Sequence, residues 1–343
     1  FLTDTSKLIF DREALLGVSI TGWMNNPDIL FDENILEKGA KIVKEVNREV
    51  AQIIGINAAA RTTCVKPSGN ASVLLQTASG IHAEHSNMYI RNVQMNKESE
   101  ITQAIMKTNP YMVEDSVWSA GGTDVVVSFP ILPKKGSMYK DDLLGVKHLE
   151  LVKKAQKHWV EAGTNEDLCA DKGVRHNVSN TIIVDDWDEV EKYVFENRHS
   201  FAGISFLAMS GDKDYNQAPN TAVITAKDMV KKYGNAAVFA SGMVVDALKC
   251  FNNLWDACST AKGFGEDLSL ESSENAMKRD WIRRFGKFAD NYLDSDTILA
   301  EHCLKDAYLL HKWNKIQSTL KTVDWKEDIK ERKYTDVDTL AAA

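Results

Sequence analysis

The chain has 343 residues, with 41 Lys and Arg against 49 Asp and Glu, a formal net charge of −8. Hydrophobic residues make up 44% and charged residues 26%, which is globular usage and excludes a disordered or fibrous chain. The acidic balance argues against sequence-blind nucleic-acid binding, and no run approaches the roughly 20 apolar residues of a membrane helix, so neither nucleic acid nor a membrane is expected as a direct partner.

This length suits about two domains or one large α/β unit. The five cysteines, Cys64, Cys169, Cys250, Cys258 and Cys303, are too scattered for a disulfide framework, and an odd count without a signal peptide points to a reducing cytoplasm. The start, Phe1-Leu2-Thr3-Asp4, has no initiator Met and no targeting pattern, so the chain reads as a processed piece or a piece of a longer polypeptide.

From Asp32 to about Gly55, Ile35, Ile42, Val43, Val46, Val50, Ile53 and Ile54 recur at helical spacing, with Asp32 placed as an N-cap and Gly55 as a stop. A turn-rich stretch, Arg61 to Asn70, leads into Ala71-Ser72-Val73-Leu74-Leu75, read as a strand with a loop after it. Further β-rich runs are Val125–Phe129, Thr181–Val184 and Ile204–Leu207. Helical patterns lie between them, from about Leu143 to Ala162 and from Trp187 to Asn197, the second capped by Asp185 or Asp186. Strands separated by such helices predict βαβ units and a largely parallel arrangement. Beyond Thr225 the strand signal fades. From about Ser273 to Leu320 the pattern is long and helical, with Trp281, Phe285, Phe288 and Tyr292 on one face as core packing or a docking face.

Lys66-Pro67-Ser68-Gly69-Asn70-Ala71-Ser72 is the most informative stretch. Pro fixes the turn, Gly allows close backbone approach, and the following amides can point together at an anion. Ser68, Asn70 and Ser72 add donors and Lys66 adds charge. These residues suit a phosphate cradle or an ordinary surface turn, and the spacing is not that of a P-loop NTPase. His82-Ala83-Glu84-His85 invites a metal reading, but zinc needs three or four ligands in a defined geometry and no partner cluster follows, so no metal site is assigned. Glu301-His302-Cys303 is weaker still. Cys64 stands beside the candidate loop, where a thiyl or thiolate role and a plain apolar role are both open. The acidic run from Asp185 to Glu191 reads as a solvated helix start.

Two segments carry a family resemblance. Arg61-Thr62-Thr63-Cys64-Val65-Lys66-Pro67-Ser68-Gly69-Asn70-Ala71-Ser72-Val73-Leu74-Leu75, with Gly80-Ile81-His82 and Tyr89-Ile90-Arg91, resembles the phosphate-loop region of ribonucleotide reductase large chains, above all the adenosylcobalamin-dependent (class II) kind. His176-Asn177-Val178-Ser179-Asn180-Thr181-Ile182-Ile183-Val184, with Trp187, Gly203-Ile204-Ser205-Phe206-Leu207, Tyr215 and Gln217-Ala218-Pro219, is similar to the late barrel region of the monomeric ribonucleoside-triphosphate reductases. The matched stretches span about Arg61 to Pro219.

The resemblance implies an α/β fold: residues 1–225 as the C-terminal half of a ten-stranded α/β barrel, followed by a mainly helical tail over residues 226–343. It implies reduction of ribonucleoside triphosphates by a thiyl radical generated with adenosylcobalamin, and a thioredoxin-type reductant. Pro67, Ser68, Gly69, Asn70, Ala71 and Ser72 would hold the substrate phosphates, with Asn70 standing where many relatives carry Thr. The family's Asn-Pro-Cys-Gly-Glu-like radical loop does not occur here, and the chain stops at Thr339-Leu340-Ala341-Ala342-Ala343 without shuttle cysteines. No catalytic residue is therefore assigned in this chain. The expectation is a chain inactive until an N-terminal reductase part, in the same or a separate chain, completes it. Iron-dependent and glycyl-radical generators are disfavoured by the lack of a Tyr-Tyr pair and of an Arg-x-x-Gly-Tyr-like motif. The competing reading is a non-catalytic nucleotide-binding or assembly chain that retains the barrel.

Overall fold

The computed structural model describes residues 1–209, 215, 217–263 and 273–325. In chain order its first elements are α1 (Asp4–Glu13), β1 (Val18–Ser19), α2 (Pro27–Leu30), α3 (Glu33–Ile54), β2 (Thr63–Cys64) and α4 (Asn70–Leu74). There follow β3 (Tyr89–Asn96), α5 (Glu100–Thr108), β4 (Val113–Asp115), β5 (Asp124–Ile131), α6 (Gly145–Ala155), β6 (Thr181–Val184), α7 (Trp187–Glu196) and β7 (Ser205–Ala208). The last are β8 (Asn220–Ala222), α8 (Ala226–Tyr233), α9 (Ala236–Ala247), α10 (Leu254–Gly263), α11 (Ser273–Tyr292) and α12 (Thr297–Thr319). No described helix is long and apolar enough to cross a membrane.

Two compact units interleave along the chain. The first comprises Phe1–Asn87 and Leu132–Asp212, the second Met88–Ile131 and Lys213–Ala343. This division differs from a boundary at residue 225: an internal stretch, 88–131, groups with the helical part because its strands pair with β8.

In the first unit β1 pairs parallel with β2, and β6 pairs parallel with β7. A single parallel bridge, Val65 to Val178, links the two pairs. Helix α3 has the ends read from sequence: the Asp32 side chain accepts the Ile35 amide, and Gly55 takes φ +72°. Trp23, Leu36, Val65, Ile81, Leu149, Val178 and Ile182 form its dry centre. Helix α6 runs on as a π-helical segment, Gln156–Glu161, and Asp186 rather than Asp185 caps α7. Beneath the strands Arg61 pairs with Glu13 at 2.6 Å, both side chains buried, and also donates to the Val174 and Asp171 carbonyls.

Two sequence readings are corrected here and a third is divided. Ala71–Leu75 is not a strand: Asn70–Leu74 forms the short helix α4. The Val125–Phe129 run lies in a strand but not in a parallel βαβ unit. In the second unit β5 runs antiparallel to both β3 and β4, in the order β4-β5-β3-β8. The 273–320 run is two helices, broken at Asp294 and Ser295, which take φ +53° and +64°, after which Asp296 caps α12. Trp281, Phe285 and Phe288 are buried in the second unit's core, whereas Tyr292 is 39% exposed. The chain end at Thr339–Ala343 lies outside the described residues. The architecture is mixed α/β, and among the described residues parallel strand pairs occur in the first unit alone.

Candidate functional site

Ligands of parallel α/β units gather at the carboxyl ends of the strands, where loops diverge. After β1 and β2 that position is held by Thr21 and by the turn Lys66–Asn70. The Lys66 amide donates to Ser19 Oγ at 2.9 Å, so the turn starts in register with β1. Thr21 Oγ1 lies 2.6 Å from Ser68 Oγ, donates to the Ala78 carbonyl and accepts the Gly80 amide at 2.8 Å. Ser79 Oγ accepts the Ser68 amide at 3.0 Å and the Gly69 amide at 3.3 Å. Ser72 Oγ donates to the Gly69 carbonyl at 2.6 Å, closing the turn onto α4.

The Ser68 and Gly69 amides converge on the protein's own Ser79 hydroxyl, and the Ala71 amide donates to the Ser68 carbonyl. Gly69 adopts φ +51° and ψ −124°, a region that suits glycine, and a β-carbon there would meet open space. Backbone shape, rather than crowding, explains glycine at this position. Lys66, Pro67, Gly69 and Ala71 are exposed, Ser68 is half-buried and Ser72 is buried. The Asn70 backbone opens α4, while its side chain lies outside the described residues.

The far side of the turn is pinned from below. Asn25 Oδ1 accepts the Thr77 hydroxyl and the Ala78 amide, both at 2.6 Å, and Asn25 Nδ2 donates to Glu84 Oε1 at 2.7 Å. Buried His148 on α6 donates from Nε2 to the Ile81 carbonyl at 3.0 Å. Burial pulls its pKa down to about 4, so it is neutral near pH 7. His82 Nδ1 donates to the Ser79 carbonyl, and Lys140 Nζ donates to His85 Nδ1. The His82–His85 segment is thus tied into the fold by hydrogen bonds. Among the described residues no group of three or more His, Cys, Asp or Glu side chains is arranged to hold a metal ion.

Cys64 is buried one strand-end before the turn, and burial pushes its thiol pKa up against the opposing pull of Lys66. Of the late segment, His176 donates to the Thr63 carbonyl at 3.0 Å, and burial lowers its pKa. Asn180 Nδ2 donates to the Val178 carbonyl, while the Oδ1 atoms of Asn177 and Asn180 are buried without a partner. Gln217 belongs to the second unit, where its carboxamide links Glu114, the Asp115 carbonyl and the Val117 amide. Sequence reasoning missed Thr21 and Ser79: each is an isolated hydroxyl in a short connection, with no motif to mark it.

The fold and this turn can now be set beside known proteins. The class they resemble is ribonucleotide reductase: the crystal structure of a B12-dependent, class II ribonucleotide reductase matches with a TM-score of 0.55 at 17% identity, over 67% of this chain and 34% of that one. At that identity it is the fold that is shared. The curated relatives are more particular. A probable adenosylcobalamin-dependent ribonucleoside-triphosphate reductase of Dictyostelium discoideum is 28% identical over 163 residues, covering 46% of this chain and 21% of the relative. The adenosylcobalamin-dependent ribonucleoside-triphosphate reductase of Euglena gracilis is 24% identical over 224 residues, covering 64% of this chain and 28% of the relative. No family model matches. The resemblance read from the motifs is therefore shown, and the matches cover between 21% and 34% of the length of those proteins.

Proposed function

We propose that this chain is part of an adenosylcobalamin-dependent ribonucleotide reductase that reduces ribonucleoside triphosphates to deoxyribonucleotides by a thiyl-radical mechanism. Its contribution is the substrate-phosphate turn Pro67–Ser72. The observation that carries the reading is the place of that turn: it is the segment that resembles the reductase phosphate loop, and it follows a parallel strand at its carboxyl end. Its exposed edge presents the Lys66 charge, which suits a polyanion, while Thr21 and Ser79 hold the shape of the turn from within.

Adenosylcobalamin, on which both curated relatives depend, would supply the radical. The residues described here do not fit a corrinoid cradle of their own. A cleft of the first unit, about 480 Å³ beside α3, is lined almost wholly by aliphatic side chains. Cys64, Cys169, Cys258 and Cys303 are buried. The same proposal assigns residues 1–225 to the C-terminal part of a ten-stranded reductase barrel and residues 226–343 to a tail. It takes a thioredoxin-type protein as reductant, and it requires an N-terminal reductase part for activity.

The test is Gly69→Val in the full native polypeptide. A β-branched residue cannot hold φ +51° without strain, and the turn is exposed enough for the fold to survive. Nucleotide turnover should fall at least a hundredfold, about 3 kcal/mol of transition-state stabilisation. Unchanged KM and turnover would remove the phosphate role from this turn.

A further inference from the structure

The second unit holds a cavity of about 680 Å³, lined by residues of that unit alone and of a size that suits a small molecule. Val113 and Val125 supply apolar surface, and Trp255 and Tyr308 pack edge to face with ring centroids 5.5 Å apart. The charged lining is wholly acidic: Glu114, Asp115 and Asp256, with no Lys or Arg among the described lining residues. Two of these acids are already matched, since Lys312 lies 3.0 Å from Glu114 and Lys97 lies 2.7 Å from Asp115. Asp256 is not. Among the described residues its carboxylate meets no cation and accepts no hydrogen bond. It stands in the first turn of α10, yet Asn253 serves that helix start, its side chain accepting the Asp256 amide at 2.9 Å. Burial pushes the Asp256 pKa up, so its charge has lost part of its water without gaining a partner.

Two further lining residues are unusual. Ser116 is 8% exposed, and its hydroxyl accepts the Trp118 amide at 3.3 Å but donates to no described group. Gln217 holds φ +59°, a conformation that a non-glycine residue keeps only where its surroundings fix it, and such positions gather at ligand sites. Its carboxamide is fixed here by the Asp115 carbonyl at 2.7 Å and the Val117 amide at 2.9 Å.

We propose that this cavity binds a small organic monocation: a primary amine whose ammonium meets Asp256, whose apolar body lies against Trp255, Tyr308 and Val125, and whose far end accepts a hydrogen bond from Ser116. One unmatched carboxylate calls for one positive charge, and a charge-assisted hydrogen bond is the strong kind. The rings offer apolar contact rather than a place for the charge. Lys305 and Lys312 already lie 5.5 Å and 6.0 Å from their centroids, paired with Glu301 and Glu114. A metal ion is the poorer occupant, because no three ligating side chains gather among the described residues. The site does not rest on the reductase reading.

The experiment titrates the full native polypeptide with tyramine, and with tyrosol, which carries a hydroxyl in place of the ammonium, by saturation-transfer NMR. The same titrations are run on Asp256→Asn, on Asp256→Glu, and on Asp290→Asn, an exposed acid of α11 outside the cavity lining. Tyramine should bind about tenfold tighter than tyrosol to the natural sequence and to Asp290→Asn. The two should bind Asp256→Asn equally, and Asp256→Glu should restore the preference. Ser116→Ala should weaken both probes alike, by about fivefold. Equal affinity of the natural sequence for the two probes, no saturable binding of either, or a preference that survives in Asp256→Asn overturns the proposal. The comparison of the probes on the unsubstituted protein depends on no variant's folding.

Discussion

A β-carbon on Gly80 would stand 2.9 Å from the carbonyl oxygen of Lys66, and Gly80 has φ +57°. The chain that returns after α4 thus presses its backbone against the start of the candidate phosphate turn. Gly80→Ala meets both a backbone clash and a left-handed conformation, and should cost about 2–3 kcal/mol in urea unfolding. Gly69→Ala, which meets open space and only the positive φ, should cost about 1–2 kcal/mol. Equal costs at the two positions would mean that the contact with Lys66 does not govern the turn.

His148 makes stability depend on pH. Its folded pKa of about 4 lies below the ordinary 6.5, so the unfolded chain takes up the proton first as pH falls. The stabilisation is complete above pH 6.5 and is lost progressively down to about pH 4, by at most about 3 kcal/mol. His148→Gln keeps a donor for the Ile81 carbonyl without the titration. Denaturation midpoints between pH 4 and 7 should flatten in this variant, and an unchanged slope would assign the effect to other groups.

Arg61 and Glu13 form a buried pair, and Arg61 also holds two carbonyls of the 171–174 connection. Removing one partner strands the other charge, so Arg61→Ala should cost about 3–5 kcal/mol. The Arg61→Met, Glu13→Leu double variant should recover part of that cost. A double variant as unstable as Arg61→Ala would show that the carbonyl bonds, not the ion pair, carry the effect.

Thr21 joins Ser68, Ala78 and Gly80 through one hydroxyl. Thr21→Val keeps the shape and deletes the hydroxyl, leaving the Gly80 amide without its acceptor at a cost of about 1–3 kcal/mol. Thr21→Ser should restore most of the stability and, in the full polypeptide, the KM for nucleotide. Loss of stability with KM unmoved would make Thr21 a fold residue alone.

Helix α3 was legible because its signals agree: an Asp cap, a Gly stop and apolar residues at helical spacing. That periodicity nevertheless mixed two stripes, and only the structure shows that Ile42, Val46 and Val50 are uncovered. The turn at Pro67–Gly69 was legible from Pro and Gly. Helix α4 was not, since five residues are too few to express a period and Val73-Leu74-Leu75 reads equally well as strand. The antiparallel pairing of β5 was hidden because strand direction is set by the path of the chain, not by the composition of Val125–Phe129. Ser79 gave no signal at all: a single serine becomes the acceptor of two amides only after the chain has folded back on the turn.

The most direct measurement is ribonucleoside-triphosphate reduction by the full native polypeptide, with and without added adenosylcobalamin, for the natural sequence and for Gly69→Val. The account expects deoxyribonucleotide formation only with the cofactor, and at least a hundredfold loss in the variant. Reduction that ignores adenosylcobalamin, or a Gly69→Val enzyme as active as the parent, would contradict it.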